Sequence, residues 1–321
     1  MLTSKLKNTT PIRTLRNILR IWPTLNQAVG FTVLHSFASL WRNFRASTSG
    51  IGLTLTLAIG FINFGASLGL AQMIVGHRGA SYDAPENTIA AFQEAWKQHA
   101  DGVEGDFYLT TDQEIVCIHD KDTLRTGGKK LSVAGSTLAK LRSLEYGSWK
   151  NAKFAGEPLP TFQEVWKSIP ADKWFIIELK VGPEIVPVLK QQIDALAIPH
   201  ERLLVIAFNT DTVAKTKQLL PDVRTHWLTG YKADADTGEF TPTAAQIAKT
   251  LQACHADGLG TQGNRDVVNA AFIDQLKRAG MREFHVWTID APEDAKYFQK
   301  LGAVGITTNR PAFIRESLGL E

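Results

Sequence analysis

Seven residues in four short segments have side chains suited to a reaction centre. His77 and Arg78 follow the apolar run Met73–Gly76, and Glu104 and Asp106 sit two apart in GVEGDFYL. His119 closes the run EIVCIH, and Glu178 and Lys180 end WFIIELK. Residues two apart on a strand point to one face, so Glu104 and Asp106 form a carboxylate pair to which Glu178 adds a third. Three converging carboxylates repel one another unless a cation neutralises them. An all-oxygen donor set suits a hard divalent ion, Ca²⁺ or Mg²⁺. Imidazole moves protons most readily near neutral pH, which makes His77 and His119 the candidate acid–base pair, with the two roles unassigned. The Arg78 guanidinium and the Lys180 ammonium would stabilise negative charge on an anionic substrate such as a phosphodiester. Lys180 also reads as an ordinary ion-pair partner of Glu178.

The other histidines read differently. His99, His200 and His255 fall at helix ends or in loops, and His35 lies near the N-terminus. His226 and His285 stand inside strand-like runs and read as core or lining groups. Cys117, in the apolar run Ile115–Ile118, reads as a buried inert thiol. Neither it nor Cys254 has the spacing of a zinc site or a redox pair.

The elements that must position the seven residues alternate regularly. Strand candidates are Met73–Gly76, Gly102–Tyr108, Trp174–Leu179, Leu203–Phe208, Val223–Leu228, Asp257–Gly260, Glu283–Ile289 and Ala303–Thr307. Helical patterns lie between most of them, among them Asn87–Ala100, Glu184–Leu196, Ala244–Cys254 and Ala291–Leu301. Such alternation predicts a parallel sheet covered by helices. Eight strands predict closure into a TIM-type (β/α)₈ barrel with its chemistry at the C-terminal strand ends, an open doubly wound sheet being the alternative. Glu114–His119 follows the second strand after a turn too short for a parallel crossover, so this pair is predicted to be an antiparallel hairpin. Residues 121–160, rich in Gly, Lys and Ser, read as a small insertion.

Residues 1–72 are set apart by charge. They hold seven Lys and Arg and no acid, whereas Met73–Glu321 holds 28 basic and 32 acidic residues. The basic balance of the whole chain therefore belongs to the leader, and the body does not have the surface of a nucleic-acid-binding protein. Residues 51–71 form an uncharged apolar stretch, preceded by Arg42 and Arg45 and ending in small residues. That is long enough to span a bilayer and predicts export or membrane anchoring. The alternatives are an organellar leader or, with a start at Met73, a cytoplasmic protein.

The segments HRGASYDAPENT (77–88), GVEGDFYLTTDQEIVCIHD (102–120), GEPLPTFQEV (156–165), IIELK (176–180), VIAFN (205–209), VWTID (286–290) and GITTNRP (305–311) resemble the glycerophosphodiester phosphodiesterase family in order and spacing. The resemblance implies a TIM barrel with a divalent ion held by Glu104, Asp106 and Glu178. It also implies acid–base catalysis by His77 and His119, and phosphate contacts from Arg78 and Lys180. Glu86, Asn87, Phe208 and Trp287 are candidate substrate-pocket residues, the two aromatics reading equally as core. The implied reaction is hydrolysis of a small glycerophosphodiester to glycerol 3-phosphate and an alcohol, through attack by the substrate's own hydroxyl. Gly105, Ala207 and Asn309 depart from the usual family pattern without removing a catalytic group. The rival readings are a phosphodiesterase acting on lysophospholipids or sphingomyelin and a barrel that binds phosphodiesters without turnover. An apolar lip on the insertion, with Trp149 and Phe154, would favour the former.

Overall fold

The computed structural model describes residues 72–320, so the apolar segment 51–71 and the rest of the expected leader lie outside the described residues. In chain order the strands begin with β1 (Met73–His77), β2 (Gly102–Leu109), β3 (Ile115–Cys117), β4 (Trp174–Leu179), β5 (Leu203–Ala207) and β6 (Arg224–Thr229). A two-residue ribbon, β7 (Lys232–Ala233) with β8 (Phe240–Thr241), comes next. The last three are β9 (Gly258–Gln262), β10 (Glu283–Trp287) and β11 (Gly305–Thr308). Without β3 and the ribbon, eight strands pair in parallel in sequence order, and β1 bonds to both β2 and β11. That second pairing closes the barrel and rules out the open sheet.

The expected hairpin is present. β3 runs antiparallel to β2, with Phe107 opposite Cys117 and Leu109 opposite Ile115.

Helices cover the barrel where the apolar periodicity places them. They are α1 (Ile89–Lys97), α2 (Leu124–Gly127), α3 (Leu138–Leu141), α4 (Phe162–Lys167), α5 (Ile185–Ala195), α6 (Thr210–Leu219), α7 (Ala244–Ala253), α8 (Ala270–Arg278), α9 (Pro292–Lys300) and α10 (Pro311–Ser317). The first begins two residues later than the periodicity suggests. Thr88 is its N-cap, accepting a hydrogen bond from the Ala91 amide at 3.2 Å, and Asn87 before it lies in the left-handed region at φ 58°. Among the described residues, no helix is long and apolar enough to cross a membrane.

Two apolar layers result. Outside the barrel, Phe92, Phe107, Phe162 and Phe175 are fully buried between strands and helices. Each such ring contributes about 1.5–3 kcal/mol relative to exposure. Inside, Met73, Val75, Ile176, Leu204, Ile206 and Leu228 fill the lumen. The insertion adds two short helices and its own small core of Val133, Leu141, Tyr146 and Leu159 against β3. A strand's inner face recurs every second residue, so this lumen core fixes which side chains surface at the barrel mouth.

Candidate active site

Sheet register assembles the mouth. His77 of β1 lies beside Glu104 of β2, and Asp106 beside Glu178 of β4. Ligand oxygens of Glu104, Asp106 and Glu178 all fall within 4.8 Å of one another. Asp106 is 1 % exposed, and Glu104 is equally buried.

Their environments push the three carboxyls apart. Burial raises Glu104 well above the usual range, and the neighbouring Asp106 and Glu178 raise it further. Burial would raise Asp106 too, but the Arg78 and Lys180 charges outweigh it and hold that carboxyl at about 2. Burial and the Asp106 charge lift Glu178 to about 7 against the opposing pull of Lys180. Glu104 Oε1 is buried with no protein partner among the described residues. A buried acceptor left over in an all-oxygen cluster is the donor set a hard divalent cation takes, so these residues fit such an ion.

The cations expected at phosphate are engaged with these acids. Lys180 Nζ is 2.6 Å from Glu178 Oε1 and 3.3 Å from Asp106 Oδ1, the second distance being an ion pair without hydrogen-bond alignment. Arg78 Nε is 3.1 Å from Asp106 Oδ2, and its NH1 donates to Glu86 Oε1 at 2.9 Å. The Arg78 backbone, left-handed at φ 55°, aims its amide at Glu104 Oε2, 3.0 Å away. Gly79 follows at φ 83°, where a Cβ would come within 2.5 Å of the Ala91 carbonyl carbon. Only glycine permits that turn.

Glu86 and Asn87, expected to line the substrate pocket, are turned to other work. Asn87 is 3 % exposed. Its Nδ2 donates to Asp106 Oδ2 at 2.8 Å, and its Oδ1 accepts from the Asp106 amide at 3.1 Å and the Cys117 thiol at 3.1 Å. It clamps the Asp106 carboxylate of the acidic cluster from behind. Glu86 is held by Arg78 and by Arg125 of the insertion, whose NH1 and NH2 each donate to it at 2.8 Å. Burial opposes ionisation of Glu86, yet the Arg125 and Arg78 charges keep its carboxyl below the usual range. Burial raises the Cys117 thiol well above its ordinary value, so it is inert as expected.

The two histidines differ in their partners. His77 Nδ1 is 2.7 Å from Asn309 Oδ1. Asn309 in turn gives its Nδ2 to Asp290 Oδ2 at 2.5 Å, so its oxygen must face the ring. An amide oxygen only accepts, which leaves the proton on Nδ1 and a free lone pair on Nε2. Burial and the adjacent Arg78 charge lower the His77 pKa to about 4, so the ring is neutral near pH 7. His119 Nδ1 instead meets a carboxylate, Asp120 Oδ1, at 2.8 Å. Asp120 also accepts from Arg125 Nε at 2.7 Å. Groups of alternating sign thus run from Asp120 through Arg125, Glu86, Arg78, Asp106 and Lys180 to Glu178. Asn309, Asp290 and Arg125 carry no local sequence signal for these roles. Asn309 reaches His77 across 232 residues, Asp290 acts through Asn309, and Arg125 acts from inside the aperiodic insertion.

His77, Arg78, Glu104, His119, Glu178 and Lys180 line one cleft of about 150 Å³. Phe208 and Trp287 border it, their rings 5.6 Å apart edge to face, with Phe208 48 % exposed. A larger groove of about 420 Å³ lies at the opposite barrel end, around Leu251, His255, Asp257 and Arg282. Its acid, Asp257, is already bound by Lys217 Nζ at 2.7 Å and the Thr225 amide at 3.0 Å, and no second acid lines it. The smaller cleft is where the candidate catalytic residues meet.

Residues 77–313 match the Glycerophosphoryl diester phosphodiesterase family. A Caldanaerobacter subterraneus protein named glycerophosphodiester phosphodiesterase is 31% identical over 247 residues, covering 75% of this chain and 96% of its own length. A Bacillus subtilis protein of the same name is 27% identical, covering 74% of this chain and 84% of its own. Among solved structures, an Oleispira antarctica phosphodiesterase in complex with the product sn-glycerol-3-phosphate aligns with a TM-score of 0.67 at 24% identity, covering 78% of this chain and 97% of that one. A Thermotoga maritima glycerophosphodiester phosphodiesterase aligns with a TM-score of 0.60 at 20% identity, covering 76% and 97%. These two likenesses establish the fold.

Proposed function

The chain belongs to the glycerophosphoryl diester phosphodiesterase family, and from that premise we propose that it hydrolyses small glycerophosphodiesters, such as glycerophosphocholine, to glycerol 3-phosphate and an alcohol. The observation that carries this reading is one cleft lined by His77 and His119 together with carboxylates of the metal-site triad.

Glu104, Asp106 and Glu178 would hold one divalent ion, Ca²⁺ or Mg²⁺, which when bound supplies positive charge to the phosphate oxygens. Arg78 and Lys180 add fixed positive charge beside it, aimed by the acids that hold them. His77, neutral with a free Nε2, is the base that takes the proton from the glycerol 2-hydroxyl as that oxygen attacks phosphorus. His119, whose positive form is compensated by Asp120, gives a proton to the departing alcohol oxygen as its bond to phosphorus breaks. Water then opens the resulting cyclic phosphate with the two roles exchanged.

A second reading, action on lysophospholipids, draws on the exposed aromatic and aliphatic side chains of the catalytic face. Tyr82 follows β1, Leu124 and Trp149 lie in the insertion, and Phe208 follows β5. Trp149 is itself tied down, its Nε1 donating to the Tyr146 carbonyl at 2.9 Å. The apolar run 51–71 behind two arginines supports an exported or membrane-held protein.

The test is release of glycerol 3-phosphate from glycerophosphocholine by the purified chain with Ca²⁺, with Mg²⁺ and with a chelator. Metal-dependent release is expected. Turnover of lysophosphatidylcholine alone would favour the second reading, and turnover undiminished by the chelator would remove the metal from the account.

A further inference from the structure

Below the catalytic residues, the barrel lumen contains a polar chain that the proposed reaction does not use. β10 turns Glu283, His285 and Trp287 inward, and β6 turns His226 toward them. His226 Nε2 is 2.9 Å from Glu283 Oε1, and its Nδ1 is 2.9 Å from His285 Nδ1. The two rings stack at 5.1 Å with an interplanar angle of 22°. His285 is 4 % exposed, and its Nε2 is buried with no protein partner among the described residues. Yet His285 borders the catalytic cleft, together with His77, Glu104 and Trp287.

The hydrogen-bond chain fixes the protons. Glu283 stays ionised, because His226 and Arg224 hold its carboxyl below the usual range against the effect of burial. A carboxylate only accepts, so His226 Nε2 carries the hydrogen. Arg224 Nε, 3.6 Å from the same carboxylate, already supplies its counter-charge. The chain is therefore balanced with both rings neutral. His226 Nδ1 is then an acceptor, His285 Nδ1 is the donor to it, and His285 Nε2 is left with a lone pair. Burial disfavours protonation of His285.

β9 makes room for this arrangement. A Cβ on Gly258 would stand 2.6 Å from His226 Nε2, and one on Gly260 would stand 2.7 Å from His285 Nε2. Both positions face the imidazoles, and neither has a side chain to cover them. Around His285 the cleft floor is mostly apolar, formed by Ile206 and Leu228, both nearly fully buried, with Thr307 as a further polar side chain. A buried acceptor without a protein partner on a mostly apolar floor is an arrangement that can read one hydroxyl. The floor is closed below by the lumen core, so the end of the substrate that reaches it must be small. The alcohol side, which varies in size, must lie toward the open mouth and the exposed Phe208.

Resting on the phosphodiesterase reading above, we propose that His285 is a substrate-binding residue whose Nε2 accepts a hydrogen bond from the terminal free hydroxyl of the glycerol moiety, with His226 and Glu283 as its positioning residues. An acyl group on that oxygen would remove the donor and collide with the closed floor, so the same contact excludes lysophospholipids acylated there.

The test compares kcat/KM of the full-length chain for glycerophosphocholine and for its analogue in which the terminal CH₂OH is CH₃. A preference of about 10- to 100-fold for the hydroxylated substrate is expected, the range for a buried hydrogen bond lost from one side. His285→Leu should bring glycerophosphocholine down to the level of the analogue, mainly through KM, and leave the analogue within about twofold of wild type. Glu283→Gln, which touches no substrate, should shrink the preference by disturbing the proton placement, and it keeps the test open if His285→Leu does not fold. Equal turnover of both substrates by the wild type, or a preference that survives both substitutions, would overturn the assignment of His285 alone. Turnover of neither substrate would overturn the functional reading and this inference together.

Discussion

His77 Nδ1 and Asn309 Oδ1 lie 2.7 Å apart although 232 residues separate them in the chain. The contact exists because β1 pairs with β11, the strand after which Asn309 stands. It joins the proposed base to a neutral amide, and Asp290, one step further out, sets the direction of that amide by accepting its N–H. A base works only when unprotonated, so with the divalent ion kept saturating, activity should fall as pH drops toward the His77 value of about 4. Asn309→Asp would put a carboxylate against Nδ1 and favour the charged ring. The acidic limb of the kcat/KM profile should then move up by about one unit or more. A limb that stays in place would show that His77 is not the titrating base.

If His119 protonates the departing alcohol, its loss should matter only when that alcohol needs a proton. His119→Ala should lower kcat on glycerophosphocholine by about 10²–10⁴-fold. On a glycerophosphodiester with a p-nitrophenol leaving group the loss should be far smaller. His77→Ala should slow both substrates alike. Equal losses for His119→Ala on the two substrates would assign it a different role.

Asn87 holds Asp106 with two hydrogen bonds, one to the carboxylate and one from the amide. Removing such support behind a metal ligand typically weakens the metal by about 10–100-fold. Asn87→Ala should show that loss by calorimetric titration with Ca²⁺ or Mg²⁺, with kcat at saturating metal much less affected. A metal affinity equal to wild type would separate Asp106 from the metal site.

The raised Glu178 carboxyl links metal to stability. Its value of about 7 lies above the ordinary 4.5, so between them the folded, metal-free chain holds a proton that the unfolded chain has released. Stability of the metal-free protein should therefore fall as pH rises through that window. A divalent ion binds the ionised cluster, and its stabilising effect grows in the same direction. In melting experiments, Ca²⁺ or Mg²⁺ should raise Tm more at about pH 8 than at about pH 5. The same increment at both would place the ion elsewhere.

Much of this arrangement is legible in the sequence. Strand–helix alternation marks the eight barrel strands, the short turn at residues 110–113 marks the hairpin, and period-two spacing puts Glu104 and Asp106 on one face. Strand ends shift by a residue or two because hydrogen-bonded pairing, rather than hydrophobicity, decides where a strand stops. Glu86 and Asn87 were less legible. They adjoin the catalytic segment in sequence, but the left-handed backbone at Asn87 turns its amide beneath Asp106. Asn309, Asp290 and Arg125 act through contacts that only closure of the barrel and folding of the insertion create. His226 and His285 resemble core histidines in a linear reading. Their difference lies in the bare inner face of β9, which is visible only once the strands are side by side.

The line of alternating charges from Asp120 to Glu178 bears on how such a sequence can vary. Each inner member is flanked by two groups of opposite sign, so replacing one alone strands its neighbours, and a partly buried charge without a partner is costly. Arg125 and Glu86 can be lost together more easily than either can be lost singly. In this part of the protein the unit of substitution is the pair. Two positions as distant in sequence as the insertion and the first barrel loop are then expected to vary together.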